Sequence, residues 1–292
     1  MQLTTIKEIN KFLNLILNFA RYLVLGAPYF YHKYLILLSQ KWTRKKCENY
    51  GKKRFQQKIF KFGDNVKNKK RVTKDLNELT IFGNDIFCKN VSTGGTTGTP
   101  FSFKMNRFYN RQKERAYLHD IWSEIGYKPF DPIVAFRGNF SEGLISYNWI
   151  DNSFEISVDK LNKSNSKILL QRLKKLNGFY LHVYPSSLYT FIDLIGEKAF
   201  RDLSIKGILA GSEKFFVEKI YDFEKKYKIP ISHWYGQSEY VSLAKFCKNC
   251  NGFHFFPTYS YTEFLPNENK DFFSIVATSF HHIGTNFVRY DT

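Results

Sequence analysis

The run Ser92-Thr93-Gly94-Gly95-Thr96-Thr97-Gly98-Thr99-Pro100 packs three glycines and five hydroxyl side chains into one short stretch. Glycine lets the backbone approach a ligand and turn successive amide N–H groups toward it, and the hydroxyls add donors; the combination suits polyphosphate oxygens. A Walker A loop would need Gly-Lys-Ser/Thr and a helix behind it. Here Phe101-Ser102-Phe103-Lys104 follows and alternates like a strand. Taken alone, such a loop also suits a plain hairpin connection. Three other groups accompany it. Trp234-Tyr235-Gly236-Gln237-Ser238-Glu239 follows the apolar residues 229–232, at the C-terminal end of an expected strand, where ligands bind in open α/β sheets. Its aromatic ring, hydroxyl and carboxylate are the groups needed to stack a purine, touch a phosphate and hold Mg²⁺. Ala210-Gly211-Ser212-Glu213 ends the apolar run 207–209 in the same manner, and Phe287-Val288-Arg289-Tyr290-Asp291-Thr292 lies at the end of the sequence.

Cys247-Lys248-Asn249-Cys250, with His254 close behind, offers three soft ligands. A Cys-x-x-Cys knuckle can place two thiolates on one tetrahedral Zn²⁺, with the histidine third. A fourth ligand would come from elsewhere, and His182 and His233 are candidates. The alternative is a polar hairpin turn with two free thiols and an unrelated histidine. A thioredoxin-like redox role is disfavoured, because the pair does not sit between a strand and a helix.

The elements that would position these groups follow from periodicity. Residues 6–38 read as one or two helices, with Phe12, Leu15, Ile16, Phe19 and Leu23 at helical spacing and a break at Gly26-Ala27-Pro28. A basic stretch, 41–74, follows as an exposed helix and loop. Residues 87–91 and 101–105 read as short strands around the Gly/Thr loop, and 106–125 as a helix. Apolar runs at 132–136, 178–183, 204–209 and 229–233 suit buried strands, with helices expected over 166–176 and 216–227. Such alternation argues for α/β layers with a mostly parallel sheet. Past Asn251 short strands take over, as at 272–278 and 286–290.

In this order the motifs resemble those of the adenylate-forming superfamily of acyl-CoA synthetases, adenylation domains and luciferases. The Ser-Thr-Gly-Gly-Thr-Thr-Gly-Thr-Pro form is most similar to the phenylacetate–CoA ligase branch. Tyr184-Pro185-Ser186-Ser187-Leu188 and Arg289-Tyr290-Asp291-Thr292 resemble its capsular-polysaccharide-biosynthesis members. The resemblance covers residues 85–292 and implies a layered αβαβα large domain with a β-rich end. Residues 1–84 would be a helical, basic segment packed on that adenylation core. It implies that Ser92, Thr93, Gly94, Gly95, Thr96, Thr97, Gly98 and Thr99 surround the β- and γ-phosphates of ATP. Gly211, Ser212 and Glu213 would line the adenine pocket, Tyr235 and Gly236 would lie against the base, and Ser238 would contact the α-phosphate. Glu239 would hold Mg²⁺, and Tyr184, Pro185 and Ser186 would wall the carboxylate pocket. The implied reaction is carboxylate activation to acyl-AMP, then transfer to coenzyme A or an amine. Some members of the branch are similar in carrying a Cys/His cluster at the place of Cys247, Cys250 and His254. The family motif continues with a Gly-Asp whose Asp binds ribose, followed by a small domain with a catalytic lysine; neither is present here. The expectation is a fragment of low activity, with a non-catalytic nucleotide-binding remnant or structural partner in polysaccharide biosynthesis as the alternative.

Composition agrees with a globular interior: 43% of residues are hydrophobic and 18% aromatic over 292 residues. The net charge is +18, and residues 41–75 hold 14 Lys or Arg against three acids. Such a segment is either a solvated face or a peripheral contact with an anionic membrane; no motif for nucleic acid accompanies it. No secretory signal and no uninterrupted apolar run of membrane-spanning length occurs, so a cytoplasmic protein with reduced thiols is expected.

Overall fold

The computed structural model describes residues 2–81, 86–92, 101–138, 143–266 and 272–292, with backbone alone for residues 2–12 and Ile81. The chain forms two compact units, each discontinuous in sequence: Met1–Gly26 with Ile121–His233, and Ala27–Asp120 with Trp234–Thr292.

In the first unit, Ser153–Ser157, Ile133–Arg137, Phe179–Val183, Ile205–Ala210 and the start of Ile231–Gly236 pair side by side, all parallel. Ile145–Asn148 closes one edge antiparallel. Ile133–Arg137 is buried along all but its last residue, and the last four residues of Ile205–Ala210 are buried. That is the pattern of a sheet covered on both faces, and it follows from near-continuous Ile, Val, Leu, Ala and Phe. Helices Lys163–Leu173, Pro185–Ile195 and Val217–Tyr227 make the crossovers. The fold is thus mixed α/β with a mostly parallel sheet, as the alternation predicts.

The second unit is antiparallel in its sheets. Cys88–Ser92 pairs with Ser102–Asn106, which also meets Gly284–Thr285. Ser260–Pro266, Phe273–Ser279 and Tyr290–Asp291 make a three-stranded sheet. Phe101, Phe103, Met105, Ala277, Phe287 and Tyr290 pack into one buried cluster with Val72 and Leu79. The basic stretch becomes helices Arg44–Phe62 and Lys69–Lys74, started by side-chain caps from Thr43 and Asn68. The N-terminal element Gln2–Ser39 is two helical stretches meeting at the expected break, where Gly26 is non-helical with φ 63° and makes a kink.

Several features depart from the sequence reading: residues 286–290, expected as one strand, are strand only at Tyr290, and Leu243–Cys247 is a strand where none was predicted. Strands Ile145–Asn148 and Ser153–Ser157 lie where no element was predicted. Residues 185–195, read only as a pocket wall, form a helix; Pro185 stands at its first turn, a normal start position for proline. Trp234, Tyr235 and Gly236 do not follow a strand but complete one, pairing with Leu243–Cys247.

Gly284 carries a specific constraint. Its φ is +114°, and a Cβ there would stand 2.3 Å from the Lys104 carbonyl oxygen. Gly284→Ala should therefore destabilise the protein by roughly 2–4 kcal/mol. A denaturant titration showing an unchanged midpoint would remove the requirement for glycine there.

Candidate active-site segments

In the first unit the residues after two neighbouring parallel strands meet. Helix Pro185–Ile195 begins directly behind Phe179–Val183, and Gly211-Ser212-Glu213 directly behind Ile205–Ala210. The Ser186 backbone N–H and hydroxyl both donate to the Glu213 carboxylate, at 3.0 and 2.9 Å. Tyr184, the residue before the helix, supplies no side-chain cap. Glu213 therefore acts as a cap from outside the helix, placing a negative charge at its N-terminal end. Ser212 has φ 66°, a left-handed backbone rare outside glycine. The residues predicted for the adenine and carboxylate pockets are in this way joined by hydrogen bonds.

The second unit holds the other predicted residues. Glu239 is only 4% exposed, and its Oε1 accepts a hydrogen bond of 2.8 Å from the Tyr290 hydroxyl. Burial, and next the Glu239 charge, hold the Tyr290 phenol protonated well above its ordinary range. Among the described residues no other hydrogen bond or ion pair reaches the Glu239 carboxylate, so one oxygen remains for a cation. Ser238 is exposed and Tyr235 half-buried. Tyr235 shares a hydrogen bond with the Thr292 hydroxyl and lies against Phe255, ring centroids 5.8 Å apart. A Cβ on Gly236 would stand 2.9 Å from Leu243 Cδ1, so a larger residue there would need that side chain to shift.

The turn bearing Glu239 is tied at several points. The Tyr240 N–H donates to the Gln237 carbonyl at 3.0 Å, and the Ser242 N–H to Gln237 Oε1 at 3.3 Å. Tyr240 takes φ 54°. Beneath it lies Lys113, 0% exposed, whose Nζ donates to the Tyr240 carbonyl at 3.4 Å and faces the Tyr259 ring at 3.8 Å. The Tyr259 hydroxyl donates to Glu114. Burial lowers the Lys113 pKa and raises that of Glu114. Sequence reasoning missed Lys113, Glu114 and Tyr259, since a lone lysine in a helix with many charges gives no signal of burial.

Ser92 is the last residue of its strand and pairs with Ser102, so the Gly/Thr loop connects a hairpin. Thr93, Gly94, Gly95, Thr96, Thr97, Gly98 and Thr99 lie outside the described residues.

Cys247, Cys250 and His254 lie at the tip of the hairpin formed by Leu243–Cys247 and Gly252–Phe255. Their ligand atoms are all within 4.8 Å of one another, and Cys250 Sγ is 3.1 Å from His254 Nε2. A hydrogen bond with Cys247 raises the Cys250 thiol pKa. Neither suggested fourth ligand belongs to this group. In the other unit, His233 Nδ1 bonds the Ala210 carbonyl at 3.0 Å, and His182 Nδ1 meets Arg137 at 3.4 Å.

Comparison with solved structures gives the class of fold. The chain is similar to 2-hydroxyisobutyryl-CoA ligase in its open conformation with 2-HIB-AMP and CoA, with TM-score 0.54 and 15% identity. That match covers 83% of this chain and 63% of the ligase. Against the same ligase in its thioesterification state the TM-score is 0.52 at 14% identity, over 94% of this chain and 62% of the other. At such identity the likeness is one of fold, and this chain spans less than two thirds of the ligase's length. No protein-family model matches the sequence, and no curated protein does.

Glu213→Ala should lower stability by about 0.5–2 kcal/mol, toward the low end because the contact is exposed. Thermal or denaturant unfolding of the variant beside Ser186→Ala tests this. An effect in neither would show that the bond does not cap the helix.

Proposed function

We propose that the chain is the large part of an ATP-dependent, adenylate-forming ligase, which activates a carboxylic acid as its acyl-AMP and passes the acyl group to coenzyme A. One observation carries the reading: a fold shared with an acyl-CoA ligase in which the Ser92–Thr99 loop, Gly211-Ser212-Glu213, Trp234–Glu239 and Arg289–Thr292 follow one another in the order the superfamily resemblance requires. The phenylacetate–CoA ligase branch is the assignment within it, on the form of the Gly/Thr loop. An amino-group acceptor on a sugar, as in capsular-polysaccharide relatives, would use the same first half-reaction.

The substrate carboxylate oxygen would attack the α-phosphorus in line, forming an acyl–O–P bond as the bond to pyrophosphate breaks and pyrophosphate leaves with the electron pair. A thiolate of coenzyme A would then attack the acyl carbon, expelling AMP and leaving a thioester. No nucleophilic side chain is needed; positioning and charge neutralisation carry such steps. The amides and hydroxyls of residues 92–99, Thr97 among them, would orient the β- and γ-phosphates. Ser238 would contact the α-phosphate, Tyr235 and Gly236 would face the base, Gly211, Ser212 and Glu213 would line the adenine pocket, and Tyr184, Pro185 and Ser186 would border the acid. Glu239 would hold Mg²⁺ by its remaining oxygen, the metal supplying positive charge to the phosphates.

Carboxylate-dependent ATP–pyrophosphate exchange by the full-length protein, screened over aryl, fatty and amino acids, tests this reading. Glu239→Gln should cut exchange on the order of a hundredfold or more while keeping the thermal midpoint. Tyr290→Phe should cost about tenfold, the value of one hydrogen bond to a charged group. Thr97→Ala and Gly98→Val should slow exchange as well. Full exchange in Glu239→Gln would show that the carboxylate holds no metal.

Cys247, Cys250 and His254 fit a structural Zn²⁺ in the same reading. Sulfur and nitrogen ligands at about 2.3 and 2.0 Å from a tetrahedral ion stand roughly 3.5 Å apart, close to the spacing here. Purified protein should carry near one equivalent of zinc by elemental analysis. Cys250→Ser should lose the metal and melt lower; zinc-free wild-type protein prepared without chelator would end the idea.

A further inference from the structure

The N-terminal helix presents its apolar side to solvent. Between Lys11 and Arg21 there is no charged residue. Leu13, Leu15, Ile16, Leu17, Phe19 and Leu23 are all exposed, Leu15 and Leu23 to 67% and Phe19 to 65%. The helix is held on its own unit by the opposite side. Arg21 is buried there and donates to the Trp149 carbonyl at 2.7 Å, to Asn18 Oδ1 at 2.8 Å and to the Tyr147 hydroxyl at 3.2 Å. Trp149 and Tyr147, tied to the helix by these bonds, are themselves half exposed. A helix of this kind normally turns its leucines inward and its charges outward; here Arg21 is turned in and Leu13, Leu15, Leu17 and Leu23 out. A contiguous exposed apolar face of this size marks a surface that something covers.

We propose that this face lies in the headgroup region of an anionic lipid bilayer and makes the protein a peripheral membrane protein. Among the described residues no helix is long and apolar enough to cross a membrane, and Arg21 and the Gly26 kink divide this one, so it lies along the surface. Tryptophan and tyrosine are the residues enriched at that depth. The net charge of +18 attracts an anionic surface and opposes pairing with a second copy of the same chain. The apolar helix supplies insertion and the net positive charge supplies attraction, two signals that bind a membrane where one alone is marginal. The inference is independent of the ligase reading.

Flotation of the full chain with phosphatidylcholine vesicles, with and without phosphatidylglycerol, tests it. The protein should float with the anionic vesicles and not with the neutral ones. Leu15→Glu combined with Phe19→Glu should reduce the bound fraction about tenfold or more, with an unchanged circular dichroism spectrum. Should that variant fail to fold, quenching of wild-type fluorescence by brominated lipids decides the matter: quenching that Trp149→Phe diminishes supports the proposal. No flotation, undiminished binding by the folded double variant, or absence of Trp149 quenching would overturn it. So would a wild-type dimer that the double variant dissociates without lipid binding having been seen, since a second copy would then cover the face.

Discussion

Adjacent parallel strands end at the same edge of a sheet, and the polar groups of the first unit are arranged by that constraint. Val183 and Ala210 are partners at the last step of their register. The chain leaving each strand therefore emerges beside the other. Within these two strands most side chains are apolar and buried, Tyr180, His182 and Lys206 being the polar ones. Serine, glutamate and the irregular backbone are confined to what comes next, Tyr184-Pro185-Ser186 and Gly211-Ser212-Glu213. The start of helix Pro185–Ile195 then brings free N–H groups to the place where Glu213 arrives. Proline removes one of those donors, and Glu213 satisfies that of Ser186. The left-handed Ser212 costs on the order of 1–3 kcal/mol, offset by what it allows its neighbour to reach.

The second unit solves a different problem, fixing a turn that no regular element contains. Tyr240 in a left-handed conformation would be free to relax if only local bonds held it. Lys113 reaches its carbonyl from below, and burial makes that contact strict. A lysine ammonium removed from water needs partners, and here they are a carbonyl, an aromatic face and the neighbouring Glu114 system. The turn that presents Ser238 to solvent and Glu239 to Tyr290 thus rests on the core.

Much of the fold was legible because burial on both faces leaves a plain mark: the apolar runs near 133, 179, 205 and 231 all became strands. What was illegible lacked such a mark. Ser153–Ser157 and Ile145–Asn148 mix serine, glutamate and tyrosine with isoleucine, and the second lies at a sheet edge where one side needs no apolar cover. Helix Pro185–Ile195 starts with Pro-Ser-Ser, which reads as a loop until its later apolar residues are weighed at helical spacing. For the site, the motifs gave the residues but not their partners. Glu213 was expected to face a ligand and caps a helix; Glu239 was expected to be offered to a metal and is also held by Tyr290. Long-range pairings such as Glu239 with Tyr290 leave no periodic trace in the sequence.

The Tyr290 contact bears on what Glu239 can do. A carboxylate removed from water is tolerated when it is paired or hydrogen-bonded. A phenol satisfies one lone pair but brings no positive charge, and burial together with the carboxylate's own charge keeps it from ionising. Two basic residues of the same unit, Arg289 next to Tyr290 in sequence and Lys113 beneath the turn, are committed elsewhere. Arg289 forms two bonds of 3.1 Å with Glu263 and donates to the Asp64 carbonyl, while Lys113 is turned to Tyr240. Glu239 is therefore fixed in direction by a neutral donor and left without a direct cationic partner among the described residues. A structural salt bridge would have used an arginine at that place. A neutral tether that orients one oxygen and leaves the charge to be balanced is the arrangement that would suit a metal-binding carboxylate, the role proposed for Glu239, because a cation would contribute the missing charge.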